Sequence, residues 1–265
     1  MKSIIRFLVY SNVWVAFCAL GLTISAEVLF ETVNFKLSQF VFFATIFSYN
    51  FQRIVRLKKE QKHARKDWLN QYRPSIYLLI LVCGFMSLYR FIDFRLSTKL
   101  AILFSGVLSI FYPFGLRKIP FAKIFVISFV WTISTMLLLV IENNIPISPN
   151  IALHLLSRFL FVVAITIPFD IRDLKYDDQN LRTIPLFFGD LKSRFIAVFA
   201  LLICAVIAIF QYFEDALIYP NLLALILLYF ISSIFIVKSD ESRGEMYFSF
   251  WVESLSILGY LFLLY

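Results

Sequence analysis

A chain of 265 residues has room for one or two soluble domains, or for one bundle of about nine helices at about 20 residues per membrane span. Hydrophobic residues make up 61% of it and aromatic residues 18%. Soluble domains are about 45–50% apolar, so this composition excludes a water-soluble globule. The net charge of +8 is read as cationic loops on one side of a bilayer, not as a nucleic-acid surface.

In hydrocarbon every backbone amide needs an internal partner, which leaves helices or a closed barrel. The apolar runs are long and do not alternate, so the fold class is all-α: a polytopic transmembrane bundle of about nine helices, forming a single domain over 1–265. In chain order the spans are expected at 6–26, 36–55, 74–92, 97–115, 121–142, 151–170, 193–213, 218–237 and 246–265. Lys2 and Arg6 before the first apolar run resemble a signal peptide, but no small-x-small cleavage site follows, so this run is read as the first span. The loop after the second span carries Arg53, Arg56, Lys58, Lys59, Lys62, Arg65, Lys66 and Arg73. Arg117, Lys118 and Lys123 follow the fourth span, and Arg172, Lys175, Arg182, Lys192 and Arg194 follow the sixth. All three loops share a side with the N-terminus. The positive-inside rule therefore places the N-terminus in the cytoplasm and the C-terminus outside, in the cell membrane. Cys18, Cys83 and Cys204 fall within apolar runs without ligand-like spacing and are read as buried thiols.

The segment from Pro168 to Pro185 is the most informative. Asp170, Asp173 and Asp177 stand at i, i+3 and i+7, within an arc of about 60° on one helix face. Carboxylates so close repel one another unless a cation sits among them. Hard divalent cations prefer such ligands, and Mg²⁺ commonly combines one or two carboxylates with phosphate oxygens and water. The alternative is a solvated loop in which Asp178 pairs with Arg182 while Arg172 and Lys175 balance the rest. Pro168 lacks an N–H and is a candidate kink site just before the cluster.

The string Asp170-Ile-Arg-Asp173-Leu-Lys-Tyr-Asp177, followed by Arg182-Thr-Ile-Pro185 and Gly189, resembles the second aspartate-rich motif of the UbiA superfamily of intramembrane prenyltransferases. Phe111-Tyr112-Pro113, with Leu116-Arg117-Lys118 and Pro120 behind it, is similar to that family's Tyr-containing end of the fourth span. The resemblance implies a helical bundle around a central cavity, with an isoprenyl diphosphate held through Mg²⁺ at the cytoplasmic side. The allylic C–O bond would ionise, and an acceptor of unknown identity would take the prenyl group. Divalent metal and basic side chains would neutralise the leaving diphosphate, and aromatic faces would stabilise the allylic cation. Carried over residue by residue, Asp170, Asp173 and Asp177 would hold the metal and act in catalysis with Tyr112. Asn50, Arg53, Arg117 and Lys118 would bind the substrate.

One half of the family pattern is missing. Its first motif, close to N-D-x-x-D-x-x-x-D, falls on Asn50-Phe-Gln-Arg-Ile-Val-Arg-Leu-Lys58, where Phe51, Ile54 and Lys58 occupy the aspartate positions. Three readings follow. Arg53, Arg56 and Lys58 bind diphosphate directly beside a single Mg²⁺; or the chain is a non-catalytic isoprenoid- or partner-binding protein on the same scaffold; or it takes an altered substrate. A transporter is a weaker third class, because ionisable residues within the spans are few beyond Glu253 and no paired interrupted helices stand out. Glu253 is a functional candidate if it faces the cavity. His63 is read as solvated, His154 as interfacial, and Trp14, Trp131 and Trp251 as packing residues.

Overall fold

The computed structural model describes residues 2–57, 66–111, 119–174 and 183–265. Among them all regular structure is helical. α1 (Lys2–Tyr10) and α2 (Val13–Leu29) are followed by α3 (Phe35–Leu57), the short α4 (Lys66–Gln71), α5 (Arg73–Ile92) and α6 (Leu96–Phe111). α7 (Ala122–Thr132) runs through a π turn at Ile133–Leu137 into α8 (Leu138–Glu142). α9 (Pro149–Asp173), the short α10 (Ile184–Phe188), α11 (Asp190–Phe213) and α12 (Tyr219–Val237) come next. A second π turn, Tyr247–Val252, leads into α13 (Glu253–Leu263).

Taken with their π turns, the rods among the described residues fall in order on the nine expected spans. Five are long and apolar enough to cross a membrane alone: α5, α7 with α8, α9, α11 and α12. α6 and the final rod are shorter apolar helices. The first span differs from expectation. It is broken after Tyr10, and the two pieces meet at 74°. The break is local: Asn12 adopts φ 59°, a left-handed conformation that Asn tolerates better than most residues. α1 then lies across the bundle end, with Phe7 and Tyr10 edge-on to Trp68 at 5.7 and 5.5 Å. α9, by contrast, continues through Pro168 to Asp173 without ending. It starts on a conventional cap, with Ser148 Oγ accepting the Ile151 amide at 3.2 Å and Pro149 in the first turn.

α2, α3 and α5 pack in succession, α6 packs on α7 and α8, and α7, α9, α11, α12 and α13 follow in order, with α13 closing against α2. In lipid, helices associate through close packing of small residues. Gly21 faces the backbone of Ile257, where an added Cβ would come within 3.1 Å of its Cα, and Gly259 fits under the Leu228 side chain. Ala16, Ala26, Ala164, Ala197 and Cys204 are fully buried. The outward faces of α5, α6 and α11 expose Leu81, Phe85, Leu103, Phe199 and Val206, as a lipid-facing surface requires. All three cysteines are buried free thiols.

Candidate active site

Antiparallel succession brings the end of α3, the start of α7, the end of α9 and the start of the final rod to one end of the bundle. Asp170 and Asp173, one turn apart on α9, stand there. Asp170 is wholly buried and Asp173 partly exposed. Lys123, in the first turn of α7, sets its ammonium between them, 2.5 Å from Asp170 Oδ1 and 3.1 Å from Asp173 Oδ2. The neighbouring Arg172 holds Asp173 Oδ1 through Nε and Nη2, both at 2.8 Å. Its Nη1 donates to Glu245 Oε1 at 3.2 Å and to Ser249 Oγ at 3.3 Å. Ser249 in turn donates to Glu245 Oε1 at 2.8 Å.

The π turn that contains Ser249 starts two residues after Glu245, and such turns recur at functional sites. The guanidinium of Arg172 also lies over the rings of Phe169 and Phe248, at 5.2 and 6.0 Å. Three carboxylates thus share two cations in a largely desolvated setting. The ion pairs are held by groups from α7, α9 and the final rod, so the cluster ties three spans together.

The segment that joins α9 to α11 has its own local logic. Thr183-Ile-Pro185 opens the short α10, with Pro185 in its first turn, where the absent N–H is of no consequence. Gly189 ends it at φ 81°, a conformation that side chains disfavour. Ser193 Oγ donates to the Gly189 carbonyl at 2.7 Å, and Asp190 pairs with Arg194 one turn on at 2.8 Å. The Thr-Ile-Pro and Gly signature is therefore a tight re-entry that returns the chain to the bundle beside the aspartates.

A sequence profile of the UbiA prenyltransferase family matches residues 73–254. The chain belongs to this family. Among solved structures, it is similar over 94% of both chains to an apo UbiA homolog from Aeropyrum pernix K1, with a TM-score of 0.67 and 11% identity. A UbiA homolog from Archaeoglobus fulgidus, bound to GPP and Mg²⁺, gives a TM-score of 0.67 and 14% identity over 98% of both chains. A digeranylgeranylglyceryl phosphate synthase gives 0.59 and 14% identity, covering 99% of this chain and 98% of that one. At these identities the likeness establishes a shared fold. No curated protein matches in sequence. Family and apolar helices together make this an integral membrane protein of the UbiA fold.

Of the residues singled out in the sequence, the UbiA-like aspartates Asp170 and Asp173 converge on one point, which Lys123 fills with positive charge. The two carboxylates face one cation position, which the Lys123 ammonium occupies. Among the described residues no three His, Cys, Asp or Glu side chains form a complete ligand set. Asp177, Tyr112, Arg117 and Lys118 lie outside the described residues, as do Lys58 and His63.

Asn50 is buried in the corner between α1 and α2. Its Nδ2 donates to the Ser11 carbonyl at 2.8 Å and to the Ile46 carbonyl at 2.9 Å, and its Oδ1 accepts from Asn12 Nδ2 at 2.9 Å. One amide proton is thus committed to the α1–α2 bend and the other to the preceding turn of α3. Arg53 stands one turn beyond Asn50 on α3 and is half-buried. Phe51 is 43% exposed and stacks on Phe47, so the position where the family pattern has an aspartate presents an aromatic ring.

Glu253 is half-buried at the start of α13. His154, in the second turn of α9, is buried edge-on to Phe30 at 5.4 Å. Trp131 Nε1 donates to Tyr49 Oη at 3.0 Å, Trp14 stacks on Phe250, and Trp251 is exposed to the lipid side. Three residues of consequence escaped the sequence reading. Lys123 had been counted only as a loop cation, Glu245 had no motif to mark it, and Arg158 stands in the middle of the sixth apolar span. The last carried a usable signal, since a lone arginine between Leu155 and Ile167 is conspicuous in an apolar run.

Proposed function

We propose that this protein is an intramembrane prenyltransferase that moves an isoprenyl group from an isoprenyl diphosphate to an acceptor not identified by the chain. The observation that carries the reading is the convergence of Asp170 and Asp173 on a single cation position at the end of α9. The one-domain bundle would sit in the cell membrane with this end and the N-terminus toward the cytoplasm, in line with the cationic loops. Asp170, Asp173 and Asp177 are the residues assigned to hold Mg²⁺. When bound, the metal supplies charge neutralisation for the departing diphosphate.

The protein's own groups supply the rest. Lys123 balances Asp170 and Asp173 in the substrate-free state and becomes a phosphate donor once drawn off them. Arg53, Arg117 and Lys118 meet diphosphate oxygens and compensate for the carboxylates missing at positions 51, 54 and 58, as point charges and forks rather than as a Lewis acid. Arg172, itself anchored by Glu245 and Ser249, holds Asp173 in place. Tyr112 is assigned to help position the head group. Asn50 acts one step removed, fixing the bend that seats α1 across the bundle end. The aromatic interior, including the Tyr49–Trp131 pair, offers π faces to an allylic cation.

The test is transfer of a radiolabelled prenyl group from geranyl diphosphate into membrane acceptors, with wild type compared against Asp170→Ala and Asp173→Ala. Loss of transfer of at least 100-fold in both variants is expected for groups that meet the leaving diphosphate. Undiminished transfer in both would remove the mechanism.

A second reading is favoured by the closed Lys123–Asp170 pair together with the aromatic at position 51. In it the scaffold binds an isoprenoid without turning it over. Mg²⁺-independent binding of a prenyl alcohol, with no Mg²⁺-dependent binding of its diphosphate, would select that reading.

A further inference from the structure

The sixth span buries a charge that the prenyl-transfer reading does not use. Arg158 lies twelve residues before Asp170 on α9, roughly 18 Å away along the helix axis and well inside the apolar part of the bundle. It is buried. Its Nη1 donates to the Leu22 carbonyl at 2.7 Å and approaches Thr135 Oγ1 at 3.5 Å, and its Nη2 donates to Ser25 Oγ at 2.8 Å. All three acceptors are neutral. Among the described residues no carboxylate pairs with it. Glu27, the nearest acid along α2, has its Oε1 occupied by the Asn34 amide at 3.1 Å and the Ser38 hydroxyl at 2.7 Å. A guanidinium in a low-dielectric interior needs a counter-charge more than it needs neutral acceptors.

Beside it is a cavity of about 40 Å³, lined by Arg158, Ser157, Tyr229, His154, Gln211 and Ser25 among apolar side chains. This is room for a particle about the size of a water molecule. The hydroxyls of Ser157 and Tyr229 are 3.0 Å apart, so one of their two protons is used within the pair. The other proton remains for a third acceptor. A cationic fork and a free hydroxyl proton thus flank the same small space. The π turn at Ile133–Leu137 brings Thr135 to Arg158 and Met136 to the cavity lining.

We propose that this cavity is a binding site for one monovalent anion of the halide class, held as the counter-ion of Arg158 and by the Ser157–Tyr229 hydroxyl pair. Leu29 and Leu263 also line the cavity, and the site is separate from the aspartates. It stands whether or not the prenyl-transfer reading does.

The experiment compares thermal unfolding of the purified protein in sodium chloride and in sodium gluconate at equal ionic strength. Chloride at ten times its Kd is expected to raise the wild-type Tm by about 3–6 °C over gluconate. Arg158→Gln, which can still donate to the Leu22 carbonyl, should show no difference between the salts. Crystals grown in bromide should give one anomalous peak within 3.5 Å of the Arg158 guanidinium (about the reach of a charge-assisted contact). That peak decides the matter in the wild-type protein even if the variant does not fold. Equal Tm in the two salts, or a bromide-free cavity holding water, overturns the proposal. So does stabilisation by anionic lipid in place of chloride.

Discussion

Replacing Lys123 by Met removes the cation that Asp170 faces while keeping the length of the stem. Asp170 is wholly buried, and the Lys123 side chain is 21% exposed. Breaking a buried ion pair by deleting one partner costs about 3–5 kcal/mol, because the remaining charge is left in low dielectric. Partial water access to Lys123 places the expected loss near the lower end, about 3 kcal/mol. The second carboxylate adds repulsion, since Asp173 keeps Arg172 but loses its 3.1 Å contact to the ammonium. The double variant Lys123→Met with Asp170→Asn removes the stranded charge, and it should recover about 2 kcal/mol of the loss. Denaturant-induced unfolding in mild detergent, followed by tryptophan fluorescence, measures both. A single variant within about 0.5 kcal/mol of wild type would refute the claim that this pair is buried and coupled. So would a double variant no more stable than the single one.

Asn50→Ala strands the Ser11 carbonyl at the α1–α2 bend and should lower stability by about 2 kcal/mol, with Mg²⁺-dependent ligand binding retained in the folded fraction; unfolding and calorimetry on the same sample check both halves. Gly21→Ala meets the Ile257 backbone and Gly259→Ala meets only the movable end of Leu228, so the first should cost about 1–3 kcal/mol and the second clearly less, by parallel melts. Gly189→Ala is strained at φ 81° and should lose about 1–2 kcal/mol, together with prenyl transfer, because the re-entry beside the aspartates shifts.

Hydropathy made most of the fold legible. Length and apolarity are enough to mark α5, α9, α11 and α12, because a span must satisfy its backbone internally whatever its neighbours do. The bend at Asn12 was not legible, because neither Gly nor Pro marks it. What holds it is Asn50, thirty-eight residues away. Pro168 does not end α9, since a proline near the end of a long packed helix leaves one carbonyl unbonded while the helix continues. At the site, the helical spacing of Asp170 and Asp173 could be read directly. Their partners Lys123 and Glu245 arrive from other spans through tertiary packing, for which a single sequence has no periodicity to show. Arg158, a lone charge in an apolar run, is legible in the same way.

The central claim is that the aspartates of α9 gather a divalent cation together with a prenyl diphosphate. Isothermal titration of geranyl diphosphate into the purified protein, with and without Mg²⁺, tests it most directly. The account predicts binding that requires Mg²⁺ in the wild type and is lost in Asp170→Asn and Asp173→Asn. Binding of equal strength without Mg²⁺, or unchanged in both variants, would contradict it.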